Sequence, residues 1–217
     1  MISFGLVGIG KFGNRVRRIL ENESFVNLCW VADSSSATEK LASVDWVYIC
    51  SSTESHYENA LTFMAKGCSV ILEKPPTLNL VATRHLIKKA AEYRVEIYFS
   101  MVYLFDHQVT KIASPSRFFW QKVIEQPADD SAFTTFLFHH LYIFISNMGA
   151  SVCGDLVPKK LHFTSPDDFS FELWGSTKVA QFRYLRSPLS SNEHSIDDTL
   201  IDAGKPDTLS RRAMVKS

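Results

Sequence analysis

The 217-residue chain has four cysteines, Cys29, Cys50, Cys68 and Cys153, and none stands in a C-x-x-C pair or at a ligand spacing from histidine. A disulfide framework and a bound metal are therefore not expected, and the thiols suit a reducing, cytoplasmic compartment. An excess of either charge is missing too. The 23 Lys and Arg residues balance 23 Asp and Glu, so no global field draws in nucleic acid or an anionic membrane, and neither is an expected partner. Long hydrophobic runs are also absent. The densest, Phe133 to Met148, is too short to span a bilayer and carries His139, His140 and Asn147. The first residues enter an apolar strand pattern without a basic leader, so no signal peptide is expected. What is present is 46% apolar and 21% charged residues, a composition that can bury a sizeable core.

Against this plain background one motif stands out. Gly8-Ile9-Gly10-Lys11-Phe12-Gly13 follows the apolar run Ile2–Val7 and opens a helical pattern over Phe12–Glu21. A G-x-G-x-x-G sequence between strand and helix is the fingerprint of a dinucleotide site. The first glycine makes the turn, the second lets backbone approach a pyrophosphate, and the third allows close packing of helix on strand. The free amides and positive dipole end of the helix then face the phosphates. A second buried strand, Leu28–Ala32, leads to Asp33, twenty residues past Gly13 and flanked by Ser34. There a carboxylate would accept hydrogen bonds from an adenosine ribose. No arginine follows Asp33 to receive a 2′-phosphate, so NAD is expected, with NADP left open.

Strands and helices alternate through the first half. Trp46–Cys50, Ser69–Leu72 and Val95–Met101 continue the series of short apolar runs, as parallel strands covered on both faces require. Between them lie amphipathic helical patterns at His56–Lys66 and Leu80–Tyr93. The first should bury Leu61, Met64 and Ala65, the second Leu86, Ile87 and Ala90. Gly67 supplies a left-handed helix end. Cys29 and Cys50 fall in strands and read as small apolar filler. Only eleven residues, Ser34 to Val44, lie between the second and third strands, room for one short helix over Ala37–Ala42. The sheet should therefore lack its usual edge strand on that side. The expected fold is α/β: a Rossmann-type doubly wound parallel sheet, shortened at one edge, over residues 1–105. A smaller α+β domain with a mainly antiparallel sheet is expected over 106–186. Its candidate strands are Ser116–Val123, Lys160–Thr164, Phe169–Trp174 and Val179–Leu185. A helical run is expected over Ala132–Met148 and a hairpin turn at Gly175-Ser176. Residues 187–217 read as a weakly ordered or partner-dependent tail.

Glu73-Lys74-Pro75-Pro76 directly follows the fourth strand, at the sheet's carboxyl edge where an open α/β fold binds its ligand. Lys74 could hydrogen-bond a substrate hydroxyl or pass a proton; a solvated loop lysine is the plainer reading. The prolines should hold the turn extended. His56 could simply bind backbone at the start of its helix, with Ser55 or Thr53 as cap.

These segments together resemble the glucose–fructose oxidoreductase and inositol dehydrogenase (Gfo/Idh/MocA) family of NAD(P)-dependent oxidoreductases. The likeness rests on Gly8–Gly13, on Val47-Tyr48-Ile49-Cys50-Ser51-Ser52-Thr53-Glu54-Ser55-His56, and on Glu73-Lys74-Pro75. It implies a catalytic Lys74, with Ser51, Ser52, Thr53, His56 and Glu73 at the cofactor. In the second domain His139 matches a family histidine that faces the nicotinamide, but Thr135 and Tyr142 stand where carboxylates are usual. The resemblance further implies a small-molecule substrate, namely a sugar, sugar derivative or nucleotide sugar, and a homo-oligomer formed through the second domain. Two alternatives remain open at this point. One is a non-catalytic dinucleotide-binding regulatory or scaffold subunit, and the other a biliverdin-reductase-like enzyme acting on a conjugated planar molecule.

Overall fold

The computed structural model describes residues 1–33, 36–102, 117–123, 144–145, 157–165, 168–174, 179–185, 193–196 and 199–200. Contacts divide the chain between Ser100 and Met101 into two compact units.

In the first unit, β1 (Ile2–Val7), β2 (Val26–Ala32), β3 (Trp46–Ile49), β4 (Ser69–Leu72) and β5 (Ile97–Phe99) form one sheet in the order β2-β1-β3-β4-β5. Every neighbouring pair is parallel. The connections are α1 (Lys11–Asn22), a 3₁₀ turn at Thr38–Lys40, α2 (Thr53–Ala65) and α3 (Leu80–Tyr93). Val7, Val47, Ile49, Val70 and Leu72 from the strands pack with Phe63, Met64, Leu86 and Ala90 from the helices. This is the doubly wound architecture the apolar runs predict, with strands covered on both faces.

Among the described residues β2 is the edge of the sheet, with no further strand beyond it, as the short crossover predicts. The consequence for β2 itself differs from expectation. Its residues are half-exposed apart from buried Ala32, and Cys29 is exposed rather than core filler. An edge strand with a 3₁₀ turn in place of a covering helix cannot be buried throughout. Trp30 makes up part of the deficit. Its indole lies where a Cβ on Gly5 would be, stacks on Phe63 with ring centroids 5.3 Å apart, and donates from Nε1 to the Ala42 carbonyl at 3.1 Å. Lys66 Nζ ties the same crossover to the end of α2 by donating to the Thr38 and Leu41 carbonyls, each at 2.9 Å.

The helix faces need correction. α2 buries His56, Ala60, Phe63 and Met64 while Ala65 is exposed, and α3 buries Leu86 and Ala90 while Ile87 is 49% exposed. Ala65 and Ile87 each follow a buried residue by one position, a 100° turn that carries them off the core stripe. Gly67 adopts φ +80° at the end of α2, as expected.

The second unit holds a six-stranded sheet in the order β11-β10-β6-β9-β8-β7. Its strands are β6 (Arg117–Val123), β7 (Val157–Ser165), β8 (Asp168–Trp174), β9 (Val179–Leu185), β10 (Glu193–Ile196) and β11 (Thr199–Leu200). All its pairs are antiparallel except β6 with β9. Phe182 is buried, with Phe171 stacked on it at 4.7 Å and Phe144 edge-on at 5.8 Å. β10 and β11 fall within residues 187–217, read from the sequence as a weakly ordered or partner-dependent tail, whose other residues lie outside the described ones. β10 pairs with β6 from Glu193 to Ile196, a backbone ladder that needs no apolar alternation to form. Phe144 and Ile145 are helical; the rest of the expected helix over Ala132–Met148, and the Gly175-Ser176 turn, lie outside the described residues.

Candidate active site

At the carboxyl edge of the first unit's sheet a cavity of about 670 Å³ opens between β1, β2 and β3. Gly8, Ile9, Gly10, Lys11, Phe12 and Gly13 form one wall, Asp33, Ser36 and Thr38 a second, and Cys50, Ser51, Ser52, Ser55 and Asn59 a third. The glycines divide the work. Gly8 has φ +94°, a left-handed turn, with the Cys50 carbonyl 2.6 Å from where a Cβ would be. A Cβ on Gly13 would strike the Gly8 carbonyl, so this glycine is what lets α1 pack against the turn. Gly10 is the opposite case: a Cβ there meets nothing within 4 Å, and the open space belongs to the cavity. Gly10 caps α1 with no side-chain hydrogen bond, and the helix has no acidic residue in its first turn. Its leading amides have no intrahelical acceptor, so an anion at this end meets donors and no competing carboxylate.

Asp33 is held at the end of β2 by a tight turn. Its backbone amide donates to Ser36 Oγ at 3.0 Å, and Ser36 Oγ donates back to Asp33 Oδ1 at 3.2 Å. On the far wall Ser51 Oγ accepts from Ser55 Oγ at 2.8 Å and from Asn59 Nδ2 at 3.2 Å. The glycine cradle, the helix end and the acidic residue at the second strand fit a dinucleotide in donor chemistry and in room.

Lys74, half-buried, follows β4 at the same edge of the sheet but forms no part of the cavity wall; nor does Thr53, the first residue of α2. Residues 74–76 bend and the Lys74–Pro75 peptide is cis, so the turn does not run extended as the prolines suggested. His56 holds this turn to the cavity wall. Its Nδ1 lies 3.0 Å from the Pro75 carbonyl and its Nε2 3.0 Å from the Ser51 carbonyl. His56 is 1% exposed, and burial keeps its pKa below the ordinary value, against the pull of the Pro75, Ser51 and Pro76 carbonyls. The ring thus lies between two backbone carbonyls, which is the plainer of the two readings, and in its neutral form donates its single N–H to one of them. The helix cap is Ser52, with no side-chain bond to the first turn.

Glu73 is 7% exposed, and its carboxylate accepts a hydrogen bond from the Tyr48 hydroxyl at 2.8 Å. The same hydroxyl lies 2.9 Å from Ser100 Oγ. Tyr48 and Ser100 were not singled out in the sequence, because one lies in a continuous apolar strand and the other reads as an ordinary strand end. A hydroxyl within the apolar run before Cys50 was the available signal. Ser34 and His139 lie outside the described residues, as do Thr135, His140 and Tyr142.

Residues 32–100 match the model of an oxidoreductase family with an NAD-binding Rossmann fold, Gfo/Idh/MocA. Among curated proteins none matches the sequence. Solved structures of the same fold include UDP-N-acetylglucosamine 3-dehydrogenase GnnA from Acidithiobacillus ferrooxidans, 17% identical with TM-score 0.78, covering 99% of this chain and 86% of that one. Apo scyllo-inositol dehydrogenase from Lactobacillus casei is 15% identical with TM-score 0.71, covering 93% and 74%. GenD2 from gentamicin A biosynthesis, in complex with NAD, is 14% identical with TM-score 0.74, covering 90% and 68%. The family resemblance carried by the sequence motifs and the two-part α/β fold are both borne out, and NAD is the dinucleotide of this oxidoreductase family.

Proposed function

Starting from the match of residues 32–100 to the Gfo/Idh/MocA oxidoreductase model, we propose that the chain moves hydride between NAD and a hydroxyl or carbonyl carbon of a sugar, sugar derivative or nucleotide sugar. The substrate class draws on two proteins of similar fold, a UDP-N-acetylglucosamine 3-dehydrogenase and a scyllo-inositol dehydrogenase. One observation carries the assignment of Lys74 as the catalytic residue. The His56 ring packs between the Pro75 carbonyl of the Lys74–Pro75 turn and the Ser51 carbonyl of the cavity wall, at 3.0 Å from each.

Bound in the cavity, NAD supplies the hydride acceptor or, when reduced, the donor. With Gly8 making the turn, the backbone at Gly10 and the leading amides of α1 would hold its phosphates, and Asp33 would accept from the ribose hydroxyls. Lys74 takes the proton of a hydroxyl being oxidised and returns it to a carbonyl being reduced. The family resemblance gives His139 an assisting part, reduced by the absence of carboxylates at Thr135 and Tyr142. Copies of the chain are proposed to associate through the second unit, where Val157, Phe163 and Trp174 are exposed. The compartment is proposed to be the cytoplasm; among the described residues no helix is long and apolar enough to cross a membrane.

Lys74→Ala tests this reading. A residue acting mainly in the transition state lowers turnover and spares ground-state affinity. The variant should bind NADH within about threefold of wild type and lose on the order of a hundredfold in turnover over a screen of sugar nucleotides and inositols. Full turnover in the variant would remove the catalytic role. A wild type that binds NADH and turns over nothing would favour the regulatory subunit that Thr135 and Tyr142 suggest.

A further inference from the structure

The second wall of the cavity is held in shape by residues that do not line it. Asp33, Ser36 and Thr38 form that wall, and beyond Asp33 the chain crosses to β3 with the 3₁₀ turn Thr38–Lys40 on the way. Within the crossover the Ser36, Lys40 and Leu41 amides donate to the Asp33, Ala37 and Thr38 carbonyls at 3.1, 3.0 and 3.3 Å. A single turn of this kind is marginal by itself, because so few bonds do not offset the ordering of its residues. Lys66 supplies the missing hold. Its backbone is fixed at the carboxyl end of α2, where its amide donates to the Phe63 carbonyl at 3.0 Å and Gly67 follows at φ +80°. Its ammonium lies 5.6 Å from the Phe63 ring centroid and donates to the Thr38 and Leu41 carbonyls, each at 2.9 Å. One cation thus grips the first residue of the turn and the residue that ends it. Trp30, stacked on the same Phe63 ring, holds the next residue by donating to the Ala42 carbonyl at 3.1 Å.

We propose that Lys66 is a positioning residue for the adenosine half of the dinucleotide, holding the crossover at Thr38 in the shape that half needs. The proposal rests on the reading of the cavity as a dinucleotide site. Asp33 marks the ribose end of that site, and Thr38 stands on the same wall. The phosphates belong to a different wall, the glycine turn and the start of α1, whose backbone Lys66 does not touch through either bond. Bonds from an ammonium to carbonyls are charge-assisted and hold more firmly than neutral ones. Without them the crossover samples other shapes, and apparent affinity falls by the fraction of time the wall is competent. Preorganisation of this sort strengthens binding although the residue never meets the ligand.

Lys66→Met in the full chain is the test, since methionine keeps an apolar stem beside Phe63 and donates nothing. NADH is titrated by fluorescence, and ADP and reduced nicotinamide mononucleotide by displacement of NADH. NADH and ADP should weaken by the same factor, on the order of tenfold, while the mononucleotide, which lacks adenosine, stays within about twofold of wild type. Amide exchange read by mass spectrometry should quicken over residues 36–42 and stay unchanged over α1. Lys66→Gln, uncharged and too short to span both carbonyls, should show the same order of losses and decides the matter if the methionine variant folds poorly. Unchanged NADH and ADP affinities in the folded variants would overturn the proposal. Equal weakening of all three ligands, with faster exchange through α1, would also overturn it, because that is general loosening. Failure of the dinucleotide reading would instead show in the wild type, as binding of neither NADH nor ADP, so the two ideas fail separately.

Discussion

Asp33 and Gly10 show how much a single position can decide when backbone sets its surroundings. Asp33 sits in a turn closed by Ser36 and lines the cavity, so its carboxylate would meet the ribose of a dinucleotide bound as proposed. A 2′-phosphate there would meet negative charge. Asp33→Ser should therefore weaken NADH binding and improve NADPH binding, each measurable by fluorescence titration. A wild type preferring NADPH tenfold, about 1.4 kcal/mol, would contradict the NAD assignment. Residues of this sort were legible in the sequence because a glycine spacing and an acidic strand end impose the same geometry in any such fold. Tyr48, Ser100 and the burial of Glu73 were not. Their partnership joins residues 25 and 52 positions apart, and only strand order brings them together.

At the level of elements, the edge position of β2 and the bridge at the start of α2 carry the consequences. Trp30 covers Gly5 and stacks on Phe63 where a fuller fold would place another helix and strand. Trp30→Ala should open that space and cost about 2–4 kcal/mol in urea unfolding; a change below about 0.5 kcal/mol would mean the indole is dispensable. The short crossover was readable from the eleven residues Ser34 to Val44, but the exposure of Cys29 depends on what covers β2, and among the described residues no further strand or helix does. His56, within α2, joins the turns after β3 and β4. Its folded pKa lies below the ordinary 6.5, so the unfolded chain binds its proton first as pH falls. Stability contributed above that value is lost as pH drops through it toward the lower folded pKa. Thermal midpoints measured against pH should show this acid slope in wild type. In His56→Ala the slope should be flatter and the midpoint lower throughout, from the loss of about 1–3 kcal/mol in buried hydrogen bonds. An unchanged acid slope would assign it to another group.

Over the whole molecule, two units divide at Ser100, and the residues that line the cavity at the glycine turn belong to the first. Its strands could be drawn from apolar runs nearly to the residue, because a parallel sheet covered on both faces leaves a continuous pattern. In the second unit β8 and β9 were equally plain, whereas β10 and β11 escaped notice because ladder hydrogen bonds recruit polar segments without marking them. The central claim is that the glycine turn of the first unit binds a dinucleotide, and Gly10 offers the most direct access to it. Since a Cβ at Gly10 meets nothing within 4 Å, Gly10→Val should fold normally while its branched side chain takes the space meant for the pyrophosphate. Titration with NADH should give saturable binding in wild type and none in a Gly10→Val variant of native circular dichroism. Equal NADH affinity in the two folded proteins would contradict the account.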